Sequence, residues 1–322
     1  MTEHVIKRKA QWCIVVADDH GPEYGPSTGR GEIPSPVQYC RLGEPATLLQ
    51  KALNRARQIA PPAQIMVTAR DEYRDQWQPA LWFVSPPHRF VSDKREVNAL
   101  TTAAALLSIA ADSSSNIVTI LPARCYVAHE CILSAALQEV RAVLPRIREG
   151  VATLGMVDID DGIDEDYLVA ARVETGPGLR AQAIVRKPTT WVARYLRRQG
   201  AMVMSGILVG YAGIFAAHIS KCWPGLTNVL TRLVAASSAD DESRFSASII
   251  RGVPSVVLRS LRWRPPIFPQ RAFRVYHCGW SGLHSAQAVA RISASVQLNH
   301  GSASAGATDT GDSRWQAFET AT

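Results

Sequence analysis

The fold is decided by residues 12–21, which read WCIVVADDHG. The first six residues form an apolar run that is rich in β-branched side chains and has no polar alternation. Such a run is typical of a strand that is buried on both faces of a parallel sheet. The acidic and glycine-containing end predicts a loop beyond the carboxyl end of that strand, where open α/β sheets bind their ligands.

Strand and helix patterns alternate along the chain after this strand. Short apolar or alternating runs predict strands at residues 64–68, 81–84, 116–121, 151–156, 179–185 and 273–276. Helical spacing of apolar residues follows Thr47 up to the prolines at 61 and 62, and recurs at residues 98–111, 130–143 and 189–198. Strands that alternate with helices of this length predict a three-layer α/β fold with a mostly parallel sheet.

One large domain is expected from the length and composition. The chain has 322 residues, of which 47% are hydrophobic, enough to bury a substantial core. We predict a flexible N-terminus at residues 1–11, a folded domain at residues 12–292, and a disordered tail at residues 293–322 that is rich in Ser, Ala, Gly and Thr.

A cytoplasmic location is predicted from the N-terminus and the cysteines. The first eleven residues are polar and basic and contain no apolar run of signal-peptide length. The six cysteines are irregularly spaced, and a chain of this length needs no disulfide framework, so we expect reduced thiols.

The net charge of +7 favours an anionic ligand. Arg strongly outnumbers Lys, and its guanidinium suits phosphate groups. The basic residues are scattered, and we predict neither a nucleic acid nor a membrane as partner. A membrane helix is an alternative interpretation of residues 201–217, since they are uncharged and contain Gly206 and Gly210 at GxxxG spacing. This segment is at the lower length limit for spanning a bilayer, and we expect it to form a buried strand at 206–209 and a helix starting near Gly213.

Other candidate sites are less well supported by spacing. Cys125, His129 and Cys131 could contribute to a zinc site together with His277 or Cys278, although the spacing matches no common zinc ribbon. The acidic stretch at 158–166 lacks the register of a calcium loop and is predicted to be a solvated loop. Residues 279–283 miss the spacing of a serine nucleophile elbow by one position, so a structural role is expected for Ser281.

Four short motifs are distributed over most of the chain. They are PVQY at 36–39, LPAR at 121–124, VRKP at 185–188 and WSGL at 280–283. In order and spacing they resemble the motifs PKQF, LPAD, VEKP and WSDVGSW of mannose-1-phosphate guanylyltransferases, which are sugar-phosphate nucleotidyltransferases. The resemblance implies the Rossmann-like fold of nucleotide-diphospho-sugar transferases over residues 12–292.

The resemblance also implies a chemistry, in which a sugar 1-phosphate attacks the α-phosphorus of a nucleoside triphosphate. That reaction gathers negative charge and needs a divalent metal, normally Mg²⁺, that is held by carboxylates. The family's two metal-binding Asp residues correspond to Arg124 and Gly282, and its loop Lys corresponds to Val37. The Glu that binds sugar hydroxyls corresponds to Arg186, and a later motif Gly corresponds to His284.

These departures favour a catalytically impaired homologue, a pseudoenzyme that binds nucleotide, sugar phosphate or an active paralogue. The alternative is an active nucleotidyltransferase with a rebuilt site, in which Asp18 and Asp19 would hold Mg²⁺. Candidate catalytic residues for phosphate contacts are Arg30, Arg124 and Lys187.

The resemblance assigns two sets of binding residues. The nucleotide would be bound by Gly21, Gly25, Gly29, Arg30, Gln38 and Asn98. The sugar phosphate would be bound by Tyr167, Lys187, Ser205 and Gly206. The expected partners are GTP or a sugar phosphate, and a homo-oligomer is possible.

Two expectations follow for the site itself. The crevice should favour anions without a metal, because two arginines replace acidic groups while Lys187 is kept. The combined substitutions Val37→Lys, Arg124→Asp and Gly282→Asp should recover some activity if the backbone has been kept.

Overall fold

The computed structural model describes residues 9–18, 23–24, 35–93, 98–147, 150–157, 164–173, 176–236, 243–245 and 271–306. The strands are β1 Gln11–Val16, β2 Glu23–Tyr24, β3 Ser35–Pro36, β4 Ile65–Arg70, β5 Arg89–Ser92, β6 Ile117–Pro122, β7 Tyr126–Val127, β8 Ala152–Met156, β9 Tyr167–Ala170, β10 Leu179–Val185, β11 Met202–Tyr211, β12 Ser243–Phe245, β13 Arg271–Val275 and β14 Trp280–Ser281. The helices are α1 Leu48–Ile59, α2 Arg74–Trp77, α3 Asn98–Asp112, α4 Glu130–Val143, α5 Thr190–Arg198, α6 Ala212–Cys222, α7 Pro224–Ala236 and α8 Ala286–Gly306.

A mixed sheet forms the centre of the fold, with the strand order β12-β5-β4-β1-β6-β11-β8-β13-β10-β9. The strands from β12 to β6 are parallel. β11 runs antiparallel to β6 and β8, and β10 runs antiparallel to β9 and β13. The expectation of a mostly parallel sheet is therefore right for the first half, whereas the second half combines these antiparallel pairs with a parallel pairing of β8 and β13. The connection between β9 and β10, residues 171–178, is too short for a crossover helix, so these two strands must be antiparallel.

Helices pack on both faces of this sheet. Side chains of β1 alternate between two core clusters. Cys13 and Val15 belong to a cluster that includes residues of α1 and α4. Ile14 and Val16 belong to a cluster that includes residues of α3 and α6. The period of two along a strand places successive side chains on opposite faces, which explains why the first strand reads as continuously apolar.

The predicted start of the first helix is confirmed. The Thr47 side chain accepts a hydrogen bond from the Gln50 amide at 3.2 Å, and the Gln50 side chain accepts one from the Thr47 amide at 2.8 Å. This capping box satisfies two amides that have no partner within the helix.

The strand predicted at 81–84 is wrong. A 3₁₀ helix spans Gln78–Leu81, and Trp82 is 76% exposed. Arg89, at the start of β5, donates hydrogen bonds to the carbonyls of Leu81 and Val84. The aromatic and apolar composition suggested a strand, but flanking prolines and these hydrogen bonds fix a turn.

The apolar segment at 201–217 is divided between β11 and α6, as expected. Gly206 adopts φ +75°, which permits a turn within the strand segment. In the described part of the chain, no helix is long and apolar enough to cross a membrane.

The last helix extends past the predicted domain boundary. Residue 292 lies inside α8, and Val296 beyond it is buried. Nearer its start, Val289 packs in one cluster with Val37 and Leu48. The helix therefore closes over the segment that carries the first motif.

Candidate functional site

A cavity of about 420 Å³ lies beyond the carboxyl ends of β1 and β6. Its wall combines the second, third and fourth sequence motifs with the residues before β9 and the middle of β11. The polar and glycine residues of the wall are Arg124, Asp164, Glu165, Asp166, Arg186, Lys187, Ser205, Gly206, Gly282 and His284. Three of the four motifs that are distant in sequence therefore converge on one site.

Arg124 is held by a histidine across the cavity wall. Its Nη1 lies 2.7 Å from Nδ1 of His284. A guanidinium can only donate, so Nδ1 of His284 must accept and the imidazole proton must reside on Nε2. This contact fixes the position of a cation at the end of the second motif.

Glu165 lies on the other side of the same histidine. Its Oε2 is 3.1 Å from Nε2 of His284. The carboxyl is nearly fully buried, and within the described ranges Oε2 has no partner in good hydrogen-bond geometry. The short distance nevertheless brings the carboxylate against the imidazole. Oε2 can still accept a hydrogen bond, which points to a donor from a ligand or a water.

Gly282 leaves the space that this arrangement needs. A Cβ added at Gly282 would lie 2.7 Å from Oε1 of Glu165 and 2.7 Å from ring atoms of His284. Real Cβ atoms do not approach other atoms so closely. The glycine, the histidine and the carboxylate therefore occupy mutually dependent positions.

Lys187 is fixed through its backbone. Its amide donates to Oδ1 of Asp166 at 3.1 Å, and its φ of +36° is unusual for a residue with a side chain. Oδ2 of Asp166 lies 3.7 Å from Nη1 of Arg186. The third motif and the residues before β9 are thus joined by one aspartate.

The cavity wall is not purely basic. Arg124, Arg186 and Lys187 face Asp164, Glu165 and Asp166, so the formal charges of these six residues cancel. Residues 164–166 line the cavity, whereas the acidic stretch 158–166 is predicted from its sequence to be a solvated loop. The other residues of that stretch, 158–163, lie outside the described residues.

Ser205 and Gly206 lie at an irregularity of β11, where the pairing with β8 shifts register. The Ser205 hydroxyl donates to the Leu154 carbonyl at 2.7 Å and accepts from the Ile207 amide at 3.1 Å. Gly206 faces Pro122, whose Cγ would be 3.0 Å from an added Cβ. Both residues shape the wall, and the serine hydroxyl is engaged by the backbone.

Two other predicted binding residues are part of the core. Tyr167 is fully buried in the main cluster and does not line the cavity, and burial raises the pKa of its hydroxyl. Gln38 is also buried, and its Nε2 donates to the Ala17 carbonyl at 3.1 Å. Tyr39 donates to the same carbonyl at 2.9 Å, so the first motif holds the end of β1.

The remaining nucleotide-binding predictions stay predictions. Asp19, Gly21, Gly25, Gly29 and Arg30 lie outside the described residues. Asn98 begins α3, and its side chain is likewise outside what the structure describes.

The residues do not fit the Mg²⁺ site that the resemblance implies. Asp18 is fully buried; Oδ1 accepts from the Thr68 hydroxyl at 2.7 Å, and Oδ2 accepts from the Thr101 hydroxyl. Both oxygens are therefore engaged by the fold. Among the residues that the structure describes, no group of three His, Cys, Asp or Glu side chains could hold a metal ion.

The zinc alternative is disfavoured by a cation. Nη1 of Arg55 lies 3.4 Å from Sγ of Cys125, and this guanidinium also bonds Glu130 at 2.7 and 2.8 Å. Burial raises the pKa of the Cys125 thiol, although Arg55 opposes that shift. Burial keeps this thiol protonated, and a zinc ion beside it would be repelled by the guanidinium of Arg55.

Comparisons with known proteins give matches in structure only. No protein-family model matches the chain, and neither does any curated protein. Mannose-1-phosphate geranyltransferase from Thermus thermophilus is similar with a TM-score of 0.67 and 20% identity, over 87% of this chain and 78% of that chain. Mannose-6-phosphate isomerase from Helicobacter pylori is similar with a TM-score of 0.59 and 13% identity, over 84% of this chain and 98% of that chain. The two proteins have different activities by name, so what this chain shares with them is an α/β fold.

Proposed function

We propose that this chain is a mannose-1-phosphate guanylyltransferase-like protein of nucleotide-sugar metabolism that has lost most or all catalytic activity. It binds a nucleotide such as GTP, a sugar phosphate, or an active paralogue, and it acts in the cytoplasm. The observation that carries the proposal is which residues stand at the two motif positions that bind metal in the family. Arg124 and Gly282 line one cavity, where the resembling family has two carboxylates.

A guanidinium in this place opposes metal-dependent transfer. A divalent cation and Arg124 would repel each other in a partly enclosed cavity. Removing a single electrostatic group of this kind costs about 10²–10³ in rate. The effects of groups that act together are not additive, so the rate losses for the separate changes cannot simply be multiplied. We nevertheless expect the combined changes to leave little turnover.

An active nucleotidyltransferase with a rebuilt site is the second candidate. It is favoured by the carboxylates of Asp164 and Asp166, which line the cavity near Lys187. Asp18 does not support this candidate, since threonine hydroxyls engage its carboxylate.

Calorimetric titration with GTP and with mannose-1-phosphate, each with Mg²⁺ and with EDTA, tests the proposal. We expect at least one ligand to bind, Lys187→Ala to weaken that binding, and Arg180→Ala, an exposed site away from the cavity, to leave it unchanged. A pyrophosphate-release assay runs beside it. Binding of neither ligand would refute the binding of GTP and of mannose-1-phosphate, and robust magnesium-dependent release would favour the second candidate.

A further inference from the structure

We infer that Arg124 is a resident cation that takes the place of a divalent metal, and that the cavity binds a phosphate group of its ligand without metal. His284 and Glu165 are the positioning residues that hold it. This inference rests on the proposed function, because it concerns the same cavity.

The first support is that the residues at which the chain departs from the family motifs pack against one another. Arg124 contacts His284 at 2.7 Å, and the Glu165 carboxylate and the His284 ring occupy the space that a side chain at Gly282 would need. Independent decay of a catalytic site would not require these residues to fit each other. The set forms one built arrangement around a guanidinium.

The second support is the buried carboxylate. Glu165 is 5% exposed, lines the cavity, and has an Oε2 that finds no well-aligned donor within the described parts of the chain. A buried carboxylate oxygen of this kind costs free energy unless it accepts from a ligand or an ordered water, so the ligand should carry a donor such as a hydroxyl beside its phosphate group. The position of Glu165 beside Nε2 of His284 also favours a proton on that nitrogen, which leaves Nδ1 to accept from Arg124.

The third support is the placement of charge around the guanidinium. The planar fork of an arginine matches phosphate oxygens, and it carries its positive charge at any physiological pH. Asp166 accepts from the Lys187 amide and lies close to Arg186. One of the three acidic groups is thereby directed toward the protein's own donors.

Titration of the protein with inorganic phosphate in EDTA tests this inference. We expect binding that Arg124→Gln weakens by about tenfold to a hundredfold, the range for losing a charge-assisted hydrogen bond. His284→Ala should also weaken binding, and His284→Gln should restore part of it because its amide oxygen can accept from Arg124. Arg180→Ala is the matched control and should leave the affinity unchanged.

A spectroscopic measurement makes the test independent of binding strength. With ¹⁵N-labelled histidine, we expect His284 to show a protonated Nε2 and an unprotonated Nδ1 at neutral pH, and Arg124→Gln to change the Nδ1 signal. Circular dichroism of each variant verifies that it is folded.

Three results would overturn the inference: phosphate binding that requires Mg²⁺, an affinity unchanged by Arg124→Gln, or no phosphate binding at all. Failure of the proposed function is distinct. Phosphate binding in EDTA without binding of GTP or mannose-1-phosphate would refute the proposed ligands and would still support the role of Arg124 as the resident cation.

Discussion

Gly282→Ala is expected to destabilise the protein, because the cavity wall has no room for a methyl group at this position. The added Cβ would lie 2.7 Å from Glu165 Oε1 and 2.7 Å from the His284 ring. Both neighbours are ends of side chains and can rotate away, at about 0.5–1.5 kcal/mol each. We therefore expect the free energy of unfolding to fall by about 1–3 kcal/mol. The Tm should fall by roughly 2–4 °C for each kcal/mol.

Urea denaturation and differential scanning calorimetry measure this loss. Gly225→Ala is the matched control, since nothing lies within 4 Å of a Cβ added there. Gly225 is in α7, where alanine is favoured over glycine by up to about 1 kcal/mol, so this variant should be as stable as the unmodified protein or more stable. A Gly282→Ala protein with unchanged stability would refute the packing argument.

The same reasoning corrects the expectation that restored motif residues recover activity. Val37 is fully buried in a cluster with Leu283 and Val289, so Val37→Lys would place an ammonium in an apolar core. Burying an unpaired charge is far more costly than burying an unpaired polar group. Gly282→Asp would add a larger side chain and a second negative charge next to Glu165. We expect the triple variant to be poorly folded rather than active.

Three further substitutions or reactions test the described contacts. Thr101→Val removes a hydroxyl that donates to the buried Asp18, and urea denaturation should show a loss of about 1–3 kcal/mol; an unchanged midpoint would contradict that role. Glu130→Gln removes the charge that pairs with the buried Arg55, so the free energy of unfolding should fall by about 1–3 kcal/mol, and a loss below about 0.5 kcal/mol would show that solvent screens the pair. Burial raises the pKa of Cys40 to about 11, so its thiol should stay protonated at pH 8 and react with iodoacetamide much more slowly than the two exposed cysteines; equal rates by mass spectrometry would contradict this.

Local signals in the sequence predicted most elements of the fold. The helix predicted at 130–143 has the same bounds in the structure, and α1 starts after its predicted cap. Strand direction was not predictable in the same way, because an apolar run has the same period in a parallel or an antiparallel sheet. The turn at 81–84 was missed for a related reason, since its conformation depends on hydrogen bonds from Arg89.

The site was only partly accessible to sequence reasoning. The motif resemblance assigned Arg124 and Lys187 to one site, and both line the cavity, although they follow β6 and β10, which are not neighbours in the sheet. The role of Glu165 depends on a contact with a residue more than a hundred positions away, and no local pattern signals such a contact. Conversely, Gln38 matched a family motif yet makes a structural hydrogen bond to the end of β1.

Pyrophosphate release from GTP and mannose-1-phosphate in the presence of Mg²⁺ is the most direct test of the account. We predict that the unmodified protein gives no release above a protein-free reaction, even at concentrations at which its ligand is bound. Robust release that is abolished by Asp19→Ala would contradict the account and show that a metal site has formed in the first loop.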